Sequence, residues 1–149
     1  MLNSGFSNTG NSTEGYMVSN ELLYRHKFKK KGRTFSVTGA MQYNDSRAKG
    51  TQNAINNFFS NGSISLRDTL DQKTALNSIT QSNSVNANYT EPLSKRSLIE
   101  FRGFYNINRG DLDRKTFDYN KTSGKYDKMN TVLSNAFENK YVYTGGGIS

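Results

Sequence analysis

Residues 34–44 read TFSVTGAMQYN, and every second side chain, beginning with the Phe, is aromatic, apolar or glycine. The positions between them carry Thr, Ser, Ala, Gln and Asn. Strict alternation over this length predicts a β-strand with one apolar and one polar face. Residues 16–28 alternate in the same way, with one break at Leu23. The tight turn Lys31-Gly32 predicts that the two strands form a hairpin, in which Gly32 supplies a positive φ.

The same turn predicts the register of this hairpin. A two-residue loop forms three cross-strand pairs on one face, Phe28–Phe35, Leu22–Met41 and Tyr24–Gly39. In the last pair an aromatic ring covers a glycine, an arrangement that holds a strand in register.

Three more alternating stretches follow, at about residues 81–91, 97–107 and 133–147. A short turn from Pro92 to Lys95 joins two of them, whereas long polar segments, about 45–79 and 108–130, form the other connections. Transmembrane β-barrels alternate short turns with long loops in this way. The sequence therefore predicts one all-β unit over residues 1–149, an antiparallel up-and-down meander of about five long strands that forms part of a transmembrane β-barrel.

The composition favours a barrel wall over a soluble globular core. Only 33% of the residues are hydrophobic, but aromatic residues make up 12% of the chain and recur at regular intervals. A barrel wall needs one apolar face, while its other face is free to be polar. No stretch approaches the roughly 20 apolar residues of a membrane helix. Residues 1–5 show no signal peptide, so we expect an internal segment of a longer, exported protein.

Aromatic residues mark both ends of the predicted lipid-facing surface. Phe35 and Tyr43 lie eight residues apart, roughly 27 Å along a strand, or roughly 20 Å after the tilt of a barrel strand. The predicted girdle on the turn side contains Phe28, Phe35, Tyr89, Tyr141 and Tyr143. The predicted opposite girdle contains Tyr16, Tyr43, Tyr105 and Phe137. The alternative is that these rings form the core of a β-sandwich.

Four charged residues on the polar face are candidate lumen groups: Glu100, Arg102, Glu138 and Lys140. One register places Glu100 opposite Lys140 and Arg102 opposite Glu138, which forms two stabilising cross-strand pairs. A turn centred on Thr122 shifts this register by two pairs. We interpret these charges as a ladder of cross-strand pairs that stabilises the sheet. The alternative is that they contact a ligand or plug.

The long polar segments contain a second set of candidates, the outer-loop aromatic residues Phe58, Phe59, Phe117, Tyr119 and Tyr126. Tyr119 and Tyr126 flank residues 120–125 and predict a short hairpin. Exposed aromatic rings in loops bind ligands or pack against neighbouring loops.

Other classes of site have little support in the sequence. The basic run from Lys27 to Arg33 is centred on a predicted turn, and the residues near it do not form the pattern of a nucleic-acid-binding patch. His26 lacks partners for a metal site. The sequence contains no nucleophile elbow, phosphate loop or metal-ligand spacing. We therefore predict no catalytic residue, no cofactor, no metal and no nucleic-acid partner.

Several strings resemble a large family of outer-membrane β-barrels in Bacteroidota that resemble TonB-dependent receptors. The strings are residues 21–28, ELLYRHKF, continuing as KKKGR to Arg33, together with 89–94, YTEPLS, 118–120, DYN, 124–126, GKY, 133–135, LSN, and 137–139, FEN. The resemblance covers about residues 20–143 and lies mainly in turns. It implies an outer-membrane location, a barrel of about 22 strands with a plug, and energy coupling through the TonB system.

The expected function is therefore a barrel wall with outer loops that bind substrate for uptake. The expected partners are outer-membrane lipid, the remaining barrel strands and plug, and the TonB system. The alternative is a soluble extracellular β-sandwich or adhesin-like binding module.

Overall fold

The computed structural model describes residues 2–60 and 63–149, and for Leu2 only the backbone. The chain is all-β and forms an antiparallel up-and-down meander, as predicted. Its strands are β1 (Leu2–Lys27), β2 (Thr34–Ser60), β3 (Ser63–Pro92), β4 (Leu98–Asn120), β5 (Lys125–Met129) and β6 (Asn135–Ile148).

The strands follow one another across a single sheet. Its order is β1-β2-β3-β4-β5, and β6 also pairs with β4. β5 pairs with the end of β4, where Phe117 lies opposite Met129 and Asp118 opposite Lys128. Along the described ranges there is no helix that could cross a membrane.

The prediction of long polar loops is wrong. β2 continues to Ser60 and β3 begins at Ser63, so most of residues 45–79 are strand. The connection at residues 61 and 62 lies outside the described residues. β4 likewise continues to Asn120 through much of the second predicted loop. Polar residues extend these strands because each backbone can hydrogen-bond to a neighbour whether or not its side chains are apolar.

The chain divides into two compact units, and β1 to β4 each contribute residues to both. Unit 1 comprises residues 1–15, 46–78 and 112–137, and unit 2 comprises 16–45, 79–111 and 138–149. Most of the alternating stretches recognised in the sequence lie in unit 2. The predicted loops lie mainly in unit 1. The change from alternating to polar stretches in the sequence is thus a change in side-chain composition along continuous strands, and not a change from strand to loop.

Both predicted short turns are present. Gly32 has a φ of 87°, and the Arg33 N–H donates a hydrogen bond to the Lys30 carbonyl (3.1 Å). The Phe28 N–H donates to the Arg33 carbonyl (3.2 Å), so Phe28 lies opposite Arg33 rather than Phe35. The predicted register is therefore wrong by two residues. Because the shift is even, the apolar side chains stay on the predicted face.

The register between β4 and β6 differs from both predicted alternatives. Glu100 and Ser149 exchange two backbone hydrogen bonds of 2.9 and 3.0 Å, so they are directly opposite each other. A Cβ atom built on Gly145 would lie 2.7 Å from the Phe104 ring, which shows that these two positions share a face. Glu100 is therefore not opposite Lys140.

The cause is an insertion between β5 and β6. Seventeen positions of β4 separate Glu100 from Phe117, whereas twenty positions separate their partners Met129 and Ser149. The three extra residues fall within residues 130–134, where the strand is interrupted. An odd number of extra residues moves every following side chain to the other face of the sheet.

This reversal corrects the predicted lumen charges and one part of the predicted girdles. Glu100 and Arg102 share a face and approach each other to 3.5 Å. Asn139 lies beside Gly110, which is on the same face of β4 as Glu100. Glu138 and Lys140 are the neighbours of Asn139 along β6, so they lie on the opposite face. Tyr141 and Tyr143 lie an even number of positions from Asn139 along β6 and therefore share its face. This is the face of Glu100 and Arg102, and not the predicted lipid-facing surface.

The glycine run in β6 supplies a test of this register. A Cβ on Gly146 would lie 2.8 Å from the Arg102 carbonyl oxygen, whereas a Cβ on Gly147 would have no atom within 4 Å. We expect Gly146→Ala to lower the free energy of unfolding by about 1–3 kcal/mol, because the backbone must move apart. Gly147→Ala is the matched control and should change it little. Equal urea midpoints for the two variants would contradict the register.

Candidate functional site

The first candidate surface is the outer face of unit 2, which we define by Leu22, Met41, Val85, Phe101 and Tyr105. Met41, Phe101 and Tyr105 are 41%, 43% and 47% exposed. No hydrophobic side chain is buried in the part of the chain that the structure describes. Large apolar side chains therefore line this surface and remain open to solvent, and exposed apolar side chains such as Met17 and Phe104 also occur on the opposite face.

Aromatic rings contact one another near both ends of this outer face. At the turn side, Tyr89 lies between Phe28 and Phe101, with ring centroids 6.3 and 6.2 Å away. At the other end, Tyr16 and Tyr43 approach to 5.9 Å. Neighbouring aromatic rings at two levels of a sheet are typical of the girdles of a membrane barrel.

The second candidate is a concavity of about 790 Å³ in unit 1. Its lining combines hydroxyl and amide side chains with two cations and one aromatic ring. The residues are Thr9, Asn11, Thr13, Ala48, Lys49, Gly50, Thr51, Gln52, Thr74, Leu76, Leu112, Arg114, Asn135 and Phe137. Such a surface can offer hydrogen bonds, positive charge and a ring for stacking to a polar ligand.

Hydrogen bonds around Thr116 hold the strands beside this concavity. Thr116 is 0% exposed, and its hydroxyl lies 3.2 Å from that of Thr74 on β3. The Thr116 N–H donates to the Ser134 hydroxyl (2.9 Å), and the Thr116 hydroxyl donates to the Leu133 carbonyl (3.3 Å). These bonds attach the inserted residues 130–134 to β4. They therefore stabilise the segment that sets the face of β6.

Asp118, two residues after Thr116 on β4, extends this network. Its carboxylate accepts hydrogen bonds from the side chains of Gln72 (2.6 Å) and Asn130 (3.1 Å). Gln72 is buried, so the bond satisfies a polar group that has little access to water.

The aromatic residues predicted for the second loop lie on strands. Tyr119 and Tyr126 face each other across the β4–β5 hairpin, with ring centroids 5.2 Å apart, which confirms that hairpin. The Tyr126 hydroxyl donates to Asp71 (2.8 Å), and this bond raises the pKa of Tyr126. The Lys73 ammonium lies 4.2 Å from the centre of the Tyr126 ring. These contacts occupy the ring face and hydroxyl of Tyr126, so packing explains it better than ligand binding does.

The remaining predicted aromatics also lie outside the concavity. Phe58 and Phe59 are half-buried at the end of β2, and Phe117 is half-buried on β4. Tyr119 lies an odd number of positions from Arg114 along β4, hence on the face opposite the concavity. The ring that does line the concavity is Phe137, which the sequence placed on the lipid side. Its face depends on the three residues inserted within 130–134, which the sequence pattern does not show.

An ionic cluster joins the first turn to the end of β3. Glu91 contacts Arg33 Nε at 2.7 Å and Lys30 Nζ at 2.6 Å, and it accepts a hydrogen bond from the Tyr89 hydroxyl (2.6 Å). Arg33 also lies over the Phe28 ring, 5.9 Å from its centre. The hydrogen bonds from Arg33, Lys30 and Tyr89 hold the pKa of Glu91 well below its usual range.

No group of three or more potential metal-binding side chains occurs within the described ranges. Comparison with known proteins found no family model that matches this chain and no curated protein that matches it. The function is therefore inferred from the two surfaces and the ionic cluster.

The Glu91 cluster predicts a pH dependence of stability. A carboxyl with a lowered pKa in the folded state stabilises the fold above its unfolded pKa of about 4.5, and this contribution is lost as the pH falls below that value. Glu91→Gln should therefore lower the urea midpoint at pH 7, with a difference from the parent that shrinks between pH 5 and pH 2. Glu21→Gln removes the same charge from an exposed site on β1 and is the control. A difference that is constant with pH would contradict the role of the Glu91 carboxylate.

The Thr116 network predicts a second effect on stability. Thr116→Val keeps the shape of the side chain but leaves the Thr74 and Leu133 partners without this hydroxyl. We expect a loss of about 1–3 kcal/mol in the free energy of unfolding. Thr80→Val, at an exposed position of β3, should change it by less than about 0.5 kcal/mol. Equal urea midpoints for the two variants would show that the network contributes little.

Proposed function

We propose that this chain forms part of the wall of an outer-membrane β-barrel resembling TonB-dependent receptors. In this proposal, unit 2 crosses the bilayer with its outer face toward lipid. The observation that carries the proposal is the outer face itself, where Met41, Phe101 and Tyr105 remain more than 40% exposed on a continuous antiparallel meander. A lipid environment removes such side chains from water without a second protein layer.

Strand length supports the same proposal. β1 to β3 contain 26, 27 and 30 residues, and β4 contains 23. About 9–11 residues of a tilted strand cross a bilayer. Each strand is thus long enough to cross the hydrocarbon layer and continue well into water. The division between unit 2, with its apolar outer face, and the more polar unit 1 matches that expectation.

The sheet edge also favours a larger assembly. β1 has β2 as its neighbour within the described sheet and presents a second, long edge. A long edge of unpaired backbone groups is a template for pairing with another strand. We propose that the remaining strands of a barrel pair with this edge. A plug and the TonB system are further proposed partners of the protein.

The concavity of unit 1 is the proposed site of substrate contact before uptake. Its amide, hydroxyl and cationic side chains, with the Phe137 ring, suit a polar ligand. This assignment replaces the predicted loop aromatics as the ligand-side residues.

Charge on the outer face tests the membrane assignment. Val37→Arg and Met41→Arg in the full-length protein should weaken folding into lipid by about 2–4 kcal/mol near the bilayer midplane, and less toward the interfaces. Thr38→Arg adds the same charge to the opposite face of β2 and is the control for Val37→Arg. The measurement is the urea-dependent fraction folded in phospholipid vesicles.

Two outcomes would reject the proposal. One is unimpaired insertion of both Val37→Arg and Met41→Arg. The other is a protein that is soluble and monomeric without detergent, which would favour the β-sandwich or adhesin-like module instead.

A further inference from the structure

Two turns meet at one end of unit 2 and enclose a recess. The first is the β1–β2 turn and the second is the β3–β4 turn. A Cβ atom built on Gly32 would lie 3.5 Å from the Pro92 ring, so the turns are in close contact. The recess has a volume of about 780 Å³, and its lining includes Lys30, Lys31, Lys95 and Arg96.

Positive charge dominates this recess. The residues that line it are Lys30, Lys31, Gly32, Pro92, Leu93, Ser94, Lys95, Arg96, Ser97 and Leu98, with no acidic side chain among them. The nearby Glu91 is already engaged by Lys30 and Arg33. Among the described residues, Lys31, Lys95 and Arg96 form no ion pair, and all three are exposed. The recess therefore concentrates cations whose charge is not neutralised by the protein.

The recess is also partly apolar. Leu93 lines it and is 61% exposed, whereas Leu98, which also lines it, has the parity of Glu100 and lies on the face of the sheet opposite the outer face. The rings of Phe28 and Tyr89 lie close by on the outer face, linked to the turn through Arg33 and Glu91. Cations beside the exposed Leu93, near the aromatic rings of the outer face, match the headgroup and upper acyl region of a lipid.

We propose that this recess binds the headgroup of an anionic phospholipid. The lipid phosphate contacts Lys31, Lys95 and Arg96, and its acyl chains lie against the apolar side chains of the turn and the girdle. The Glu91 cluster holds the first turn against β3. This inference rests on the proposed membrane location of unit 2, but it adds a specific lipid class and a specific site.

Native mass spectrometry of the full-length protein in detergent micelles tests the site. The probes are phosphatidylglycerol and phosphatidylcholine with the same acyl chains, and inorganic phosphate as a third arm. We expect at least fivefold greater retention of phosphatidylglycerol than of phosphatidylcholine. The triple variant Lys31→Ala, Lys95→Ala and Arg96→Ala should lose that preference.

A charge-matched control separates a site from a general effect of net charge. Lys121→Ala, Lys125→Ala and Lys128→Ala remove three cations from the β4–β5 hairpin and should keep the preference within about twofold. Equal retention of the two lipids, equal loss in both triple variants, or saturation by inorganic phosphate alone would overturn the lipid site. None of these outcomes affects the proposed barrel wall, which is rejected instead by solubility without detergent.

Discussion

Backbone hydrogen bonds between antiparallel neighbours are the interaction on which the rest of this structure depends. The described residues contain no buried hydrophobic side chain, so a packed core does not hold the strands together. Paired backbones do, and side-chain networks add to them at a few points, above all at Thr116 and Glu91. A sheet of this kind is stable where its apolar face meets another apolar medium, which is the physical basis of the proposed membrane location.

Register is the quantity that this backbone pairing controls. The two-residue shift between β1 and β2 leaves each side chain on its predicted face, because side chains alternate with a period of two. The three-residue insertion before β6 does the opposite and exchanges the faces of that strand. One consequence is that Phe137 lines the concavity of unit 1. Another is that Lys140 shares a face with Tyr105 rather than with Glu100. Small odd and even shifts thus have very different effects on which residues meet a ligand or a lipid.

The short turns of unit 2 and the concavity of unit 1 have different chemistry. At the turn side, cations surround two short turns, and the carboxylate of Glu91 links the first turn to β3. Unit 1 carries a concavity rich in hydroxyl and amide groups. A charged rim at one end and a hydrogen-bonding surface in unit 1 suit a lipid interface and a polar ligand, respectively.

The sequence by itself determined the fold class, the two short turns, the positive φ of Gly32 and the apolar face of β1 to β4. Each of these follows from local alternation or from the backbone preference of one residue. The tertiary structure alone decided that the polar residues 45–60, 63–79 and 108–120 are in strands, since their hydrogen-bonding partners lie on neighbouring strands and leave no local pattern. It alone also decided the partners of Glu100 and the position of Phe137. Both depend on whether the number of residues inserted at 130–134 is odd or even. Apolar and polar side chains do not alternate there, so the sequence does not show how many residues are left out of the strand pairing.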